Sequence, residues 1–199
     1  MHRSGTLVLL EHLAQGPGET VTLGEVLDAC GERAFGLFLL LAVLPAFLPL
    51  PAGAGAVSGP LVVLAGLQWA SLAAHPWLPA WLQHRPVARA SIARFRERLA
   101  RPLDAIARVA RPRSESVVDH PAARVFGGIL LAVLGVLLAL PMPLTNYPFG
   151  MLLVVWAIAL IERDGRLLSI AWLLGIVELV VVATVFDRAI AAVVALAAG

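Results

Sequence analysis

Apolar and polar positions alternate here on the scale of whole segments, not single residues. Long apolar runs, uncharged apart from Glu178, cover residues 34–50, 59–74, 125–140, 147–161 and 167–186, and nearly all other charge is confined to the stretches between them. Within the runs apolar residues occupy every face of a helix, the signature of a helix buried all round or surrounded by lipid. The first run, residues 34–50, is ~25 Å long as a helix at ~1.5 Å per residue, somewhat short of a ~30 Å hydrocarbon core. Pro45 interrupts it and predicts a kink or break, because proline removes a helix hydrogen bond. The cleanest predicted span is 167–186, ended by Asp187-Arg188.

The pattern repeats. Arg33-Ala34-Phe35-Gly36, an apolar run and Leu48-Pro49-Leu50-Pro51 return as Arg124-Val125-Phe126-Gly127, an apolar run and Leu140-Pro141-Met142-Pro143. Arg33/Arg124, Phe35/Phe126, Gly36/Gly127 and Gly59/Gly150 match at an offset of 91, and the double-proline motif at 92. Matches of Arg, Phe, Gly and paired Pro carry the repeat, since Leu and Val matches are cheap in such runs. Each copy reads as two helical arms joined by an uncharged tip. Two readings of the tip stay open: a full hairpin with a small far loop, or a re-entrant hairpin ending inside the membrane. Irregular backbone at membrane depth survives only where protein or a wet cavity covers it.

The connecting segments add an orientation. Residues 1–32 are amphipathic and acidic; Thr22 predicts an N-cap with Glu25 as capping-box partner, and Leu23, Val26 and Leu27 share one face. Residues 85–113 hold nine Arg, with Ile92, Phe95, Leu99, Leu103 and Ile106 at three- and four-residue steps. This predicts a basic amphipathic helix on the anionic inner leaflet. By the positive-inside rule this segment and the N-terminus lie on the cytoplasmic side, with Trp77 and Trp81 in the interfacial aromatic belt. Nucleic acid is not the expected partner, because the segment is tethered between membrane arms and offers only Phe95 for stacking.

Composition agrees. Of 199 residues, 60% are hydrophobic and 14% charged, against about 25% charged in soluble domains; mean hydropathy is +0.88. The fifteen basic residues are all Arg. Cys30 is alone, so no intrachain disulfide or cysteine metal site is expected. Leu7–Leu10 is too short and too soon followed by Glu11 to read as a signal peptide. No cofactor or metal is expected, and the absence of Gly-x-Ser-x-Gly, HExxH and Walker A motifs argues against an enzyme.

The expected architecture is therefore all-α and polytopic: an amphipathic segment 1–32, membrane repeats 33–74 and 122–161, a basic linker 75–121, and a charged turn with a C-terminal transmembrane helix over 162–199. Candidate binding groups are Glu178, a carboxylate near the middle of a span, which costs ~2.5–3.5 kcal/mol to insert, and the two tips. There Pro49, Pro51, Pro141 and Pro143 free backbone carbonyls, and Thr145, Asn146 and Tyr147 add polar side chains. Glu32, Arg33, Arg124, Glu162, Arg163 and Asp164 form a charged set at the arm ends, with Arg33 and Arg124 as anchors or as partners of Glu32 and the Glu162–Asp164 turn. A homodimer is a further expectation, as short segments enclose little volume.

Several of these runs together resemble a known family. Gly31-Glu32-Arg33-Ala34-Phe35-Gly36, Leu44-Pro45, Leu48-Pro49-Leu50-Pro51, Leu67-Gln68, Pro76-Trp77-Leu78-Pro79, Asn146 and Glu162-Arg163-Asp164-Gly165-Arg166 resemble the ExoD family of bacterial exopolysaccharide-synthesis membrane proteins, over about residues 20–180. The tip after Pro51 departs from the family's bulkier, hydroxyl-bearing run. The resemblance implies an inner-membrane protein associated with exopolysaccharide production and no particular chemistry. Transport of an ion or small solute is the expected activity, with a non-transporting scaffold or regulator as the alternative. A membrane enzyme acting on a lipid-linked sugar, resting on the Glu162–Asp164 turn, is a third.

Overall fold

The fold is that of a computed structural model describing residues 11–12, 14–47, 55–94, 97, 115–140 and 146–198. It is almost wholly helical. Helix α1 is Leu23–Cys30, α2 Ala34–Val43, α3 Gly55–Ala70, α4 Ala80–Gln83, α5 Glu115–Asp119, α6 Pro121–Ala139, α7 Asn146–Glu162 and α8 Gly165–Ala198. Two three-residue strands, β1 Thr20–Thr22 and β2 Pro86–Ala88, pair antiparallel with Val21 opposite Val87.

Local chemistry explains most boundaries. The Thr22 hydroxyl accepts from Glu25 N–H and the Glu25 carboxylate accepts from Thr22 N–H, closing the capping box that starts α1. Val26 and Leu27 are buried and Leu23 packs beside them. Pro45 does break the first arm: α2 stops at Val43 and a 3-10 turn, Leu44–Phe47, follows. The second arm starts earlier than its pattern suggested, at Gly55, and carries Pro60 within its helix.

Two expectations are corrected. The basic segment does not begin as a helix: Pro86–Ala88 forms β2, and residues 89–94 turn helical only after it. Residues 98–114 lie outside the described residues. The apolar span ends at Asp187-Arg188 as expected, but the helix does not, since α8 runs on to Ala198. Two adjacent charges do not break a helix whose neighbours are Ala and Val; the end read from them marks a change of surroundings, not of backbone.

The four arms exchange partners between repeats. Helix α3 packs along α6, and α2 packs along α7. Each pairing joins one arm of the first copy to one arm of the second, and the repeat offset converts one pairing into the other. The glycines show this at atomic scale. A Cβ on Gly36 would lie 2.7 Å from the Ala157 carbonyl and Ile161 N, while one on Gly128 would lie 2.5 Å from Ala70 N and the Gly66 carbonyl. Positions 157 and 161 are 66 and 70 moved by 91, and Gly128 is Gly36 moved by 92, one residue past its match Gly127. At the other end, Gly59 abuts Ala139 and Gly150 abuts the Phe47 ring.

Phe47, Gly55, Ala139 and Tyr147 therefore gather at one end of the bundle, the tip end, and the outer arm ends gather at the other, the base. The two copies point the same way, so their pseudo-twofold axis runs along the hairpins. The arm ends repeat too. Leu72 and Arg163, equivalent under the offset, both take positive φ, 61° and 53°. Leu72 N–H reaches Trp69 O and Ala73 N–H reaches Gln68 O; Arg163 N–H reaches Leu160 O and Asp164 N–H reaches Ala159 O. Each is a left-handed helix cap made without glycine.

The core lies between the exchanged pairs, with Leu39, Val43, Leu134, Leu138, Leu153 and Trp156 fully buried. Pro121–Ala139 and Gly165–Arg188 are long and apolar enough to cross a membrane; Ala34–Phe47, Gly55–Ala70 and Tyr147–Glu162 are shorter. Helix α8 lies on the outside of the bundle, and Leu173, Val180, Val185 and Ile190 on it are more than half exposed.

Small residues at the α3–α6 contact predict a directional mutational result. Gly66→Val or Gly128→Val drives a branched side chain into backbone and lowers stability by ~1–3 kcal/mol or more. Gly16→Ala meets only the flexible Arg89 side chain and leaves stability within ~0.5 kcal/mol. Thermal unfolding of the detergent-solubilised protein measures both.

Candidate functional site

The tip end holds part of the sequence-predicted site. Pro49, Pro51, Pro141, Pro143 and Thr145 lie outside the described residues. Asn146 begins α7. Tyr147 is exposed, and its ring meets Phe47 edge-on, with centroids 6.3 Å apart and planes at 62°. Phe47 closes the first arm of one copy and Tyr147 opens the second arm of the other, so these two arm ends meet.

Glu178 lies on α8. One turn earlier, Gly175 packs on Leu130 and Leu134 of α6 and Trp156 of α7. Helix α8 runs parallel to α6, as Trp172 lies against Phe126 and Gly127. Glu178 is thus about 4.5 Å further towards the tips, on or near the Gly175 face. It is half-buried, and its Oε2 is shielded from solvent with no hydrogen-bond partner among the described residues. Trp156 and Trp172 Nε1 share that condition. Buried polar atoms are normally paired, so an unpaired carboxylate oxygen here marks a place for a proton, a cation or a water.

The base end collects part of the charged set. Arg124, in the first turns of α6, donates its Nη2 to the Ala73 carbonyl, and its Nε is buried without a partner among the described residues. Arg163 Nη2 donates to Asp119 Oδ2 at 2.5 Å. Asp164 is 4% exposed, and its Oδ1 accepts from the N–H groups of Arg166 and Leu167. The turn read as merely charged is therefore the N-cap of α8. An Asp directly before Gly165 and an apolar run is an N-cap signal the sequence did carry. Arg33 ends the 3-10 turn Gly31–Arg33, which holds Glu32, and Glu162 ends α7.

A cavity of about 350 Å³ opens at this end. Phe35, Trp69 and Leu160 form its apolar wall; His75, Asp119, Arg124 and Arg163 form its polar rim. Trp69 and Leu160 are repeat equivalents, so the cavity sits near the pseudo-twofold axis. Beside it, Gln68 Oε1 accepts from Trp77 N–H and Gln68 Nε2 donates to the Trp77 carbonyl at 3.1 Å. That side-chain amide holds the Pro76–Pro79 segment as a neighbouring strand would. Sequence reasoning missed the cavity because its rim residues are scattered from 75 to 163 and only the fold assembles them.

These features sit in runs shared with known proteins. The sequence profile described as "Exopolysaccharide synthesis, ExoD" matches residues 6–184. The chain belongs to the ExoD family. It is 29% identical over 171 residues to Protein ExoD of Rhizobium meliloti, covering 84% of this chain and 71% of that protein. It is likewise 29% identical over 150 residues to an uncharacterized protein of Synechocystis sp., covering 74% of this chain and 70% of that one. No solved structure matches significantly. The matched stretch, residues 6–184, spans the positions of Glu178, Asp164, Gln68 and the rim of the base cavity.

The Asp164 cap yields a specific expectation. Asp164→Ala leaves two N–H groups at the start of α8 without their acceptor and costs about 0.5–2 kcal/mol, with Asp164→Asn closer to wild type. A lowered thermal midpoint for the Ala variant alone, in the same detergent, is the expected reading.

Proposed function

We propose that this ExoD-family protein is a small multi-pass membrane transporter that moves an ion or small solute in support of exopolysaccharide production, with Glu178 as the ion-binding carboxylate. The observation that carries this is the state of Glu178: its Oε2 is shielded from solvent without a partner among the described residues, three positions beyond Gly175, which packs on α6 and α7. An ionisable group inside a membrane helix is a functional-site hypothesis by default.

The rest of the reading follows the polarity of the bundle. The apolar outer faces of α6 and α8 sit in lipid. The base, with Asp119, Arg124, Arg163, Asp164 and the Arg-rich segment, faces the cytoplasmic leaflet. The shorter arms α2, α3 and α7 then enter from the base as re-entrant segments beside the longer α6. The exposed face of α8 leaves room for a second copy. The reading assigns no catalytic residue.

A specific observation favours the alternative, a scaffold or regulator of an exopolysaccharide-synthesis complex. The core between the arms is solid, with Leu39, Leu134, Leu153 and Trp156 fully buried, so transport requires the arms to part. Two measurements separate the readings. In proteoliposomes under a pH or cation gradient, transport predicts flux by wild type and a loss of about tenfold or more, ~1.4 kcal/mol on the barrier, for Glu178→Gln. The scaffold reading predicts no flux, normal exopolysaccharide output with Glu178→Gln, and loss of output when the Arg of 85–113 are changed to Gln.

A further inference from the structure

The base cavity has a composition that neither the family name nor the transport reading uses. Two guanidinium groups, Arg124 and Arg163, and the His75 ring share its rim with a single carboxylate, Asp119, which is held by Arg163. Arg124 spends Nη2 on the Ala73 carbonyl while its Nε stays buried and unpartnered. Arg124 lines the cavity even so, and the part of its guanidinium fork that reaches the opening is what an oxygen-rich anion there would meet. Behind the rim stands the apolar wall of Phe35, Trp69 and Leu160. About 350 Å³ falls within the ~300–1,000 Å³ usual for small-ligand sites. The cavity opens at the base, beside the exposed Trp77.

We propose that this cavity binds a phosphate group, with Arg124 as its principal donor, Arg163 and His75 beside it, and the apolar wall taking the carbon skeleton of a phosphate ester. Arginine suits this because its planar fork presents several N–H groups to phosphate oxygens at once. Asp119 acts against the ligand by charge and by occupying Arg163, so it sets the affinity from the opposite direction. The proposal does not depend on Glu178 or on any transport step, and binding reads it without flux.

The same chemistry reaches the site from a membrane lipid headgroup or from free phosphate, and one titration distinguishes them. The full-length protein in neutral detergent is titrated by microscale thermophoresis with short-chain phosphatidic acid, inorganic phosphate and the matching diacylglycerol. Saturable binding of phosphatidic acid with none of diacylglycerol is expected; equal affinity for inorganic phosphate assigns the site to the free anion, and weaker affinity assigns it to a lipid phosphate. Arg124→Gln weakens binding about tenfold or more, the scale of a lost charged hydrogen bond. Asp119→Asn tightens it, and Arg188→Gln, remote on α8, leaves it unchanged. Asp119 has a 56% exposed side chain, so its variant folds and keeps the test decisive should Arg124→Gln not fold. Absence of binding by both phosphates, or an Asp119→Asn protein that binds no tighter than wild type, overturns the proposal.

Discussion

The structure depends on backbones that approach more closely than side chains allow. At Gly36, Gly59, Gly66 and Gly128 an added Cβ would lie within 2.7 Å of atoms of the opposing helix. In lipid no hydrophobic force drives apolar helices together, so close van der Waals contact at small residues becomes the main source of association. The small residues stand on facing surfaces, Gly59, Gly66 and Ala70 on α3 against Gly128, Ala132 and Ala139 on α6. Because Gly36 and Gly150 provide the corresponding contacts on α2 and α7, each arm is committed to the other copy. The duplication is thus the means of closing the core.

That closure fixes where polar groups end up. Helix ends buried by the packing must have their backbone groups satisfied. The bundle meets this with repeated left-handed caps at Leu72 and Arg163, with Asp164 over the start of α8, and with Gln68 on the Trp77 backbone. Left-handed backbone at a residue with a side chain costs ~1–2 kcal/mol, which the surrounding packing offsets in both copies. Among the described residues a few buried side-chain atoms stay without a partner, two of them on ionisable groups of interest. Glu178 Oε2 lies towards the tips and Arg124 Nε at the base, one acidic and one basic, at opposite ends of one core.

What could be read along the chain was what chemistry writes locally. Thr22 with Glu25 announced a capping box, Pro45 a break, and the Arg, Phe, Gly and Pro matches a duplicated pair of arms. What could not be read depends on partners distant in sequence. Gly59 stood out as the repeat match of Gly150, but nothing local named Ala139 as what Gly59 touches. The caps at Leu72 and Arg163 carry no compositional mark, because left-handed caps usually announce themselves with glycine. Thr20–Thr22 and Pro86–Ala88 are too short for a period-two pattern. The base cavity draws on residues from four separate segments, so no motif search along the chain could have assembled it.

The exchange of arms between copies is the central claim, and proximity of the tips in a bilayer tests it most directly. Phe47→Cys and Tyr147→Cys, combined in a Cys30→Ser background and treated in membranes with a short bifunctional thiol reagent, place one thiol on each copy where the native rings are 6.3 Å apart. The exchange predicts rapid cross-linking within a single chain, seen as a monomer of altered mobility and abolished by omitting either cysteine. Failure to cross-link within the chain, or cross-links formed only between separate molecules, would contradict it.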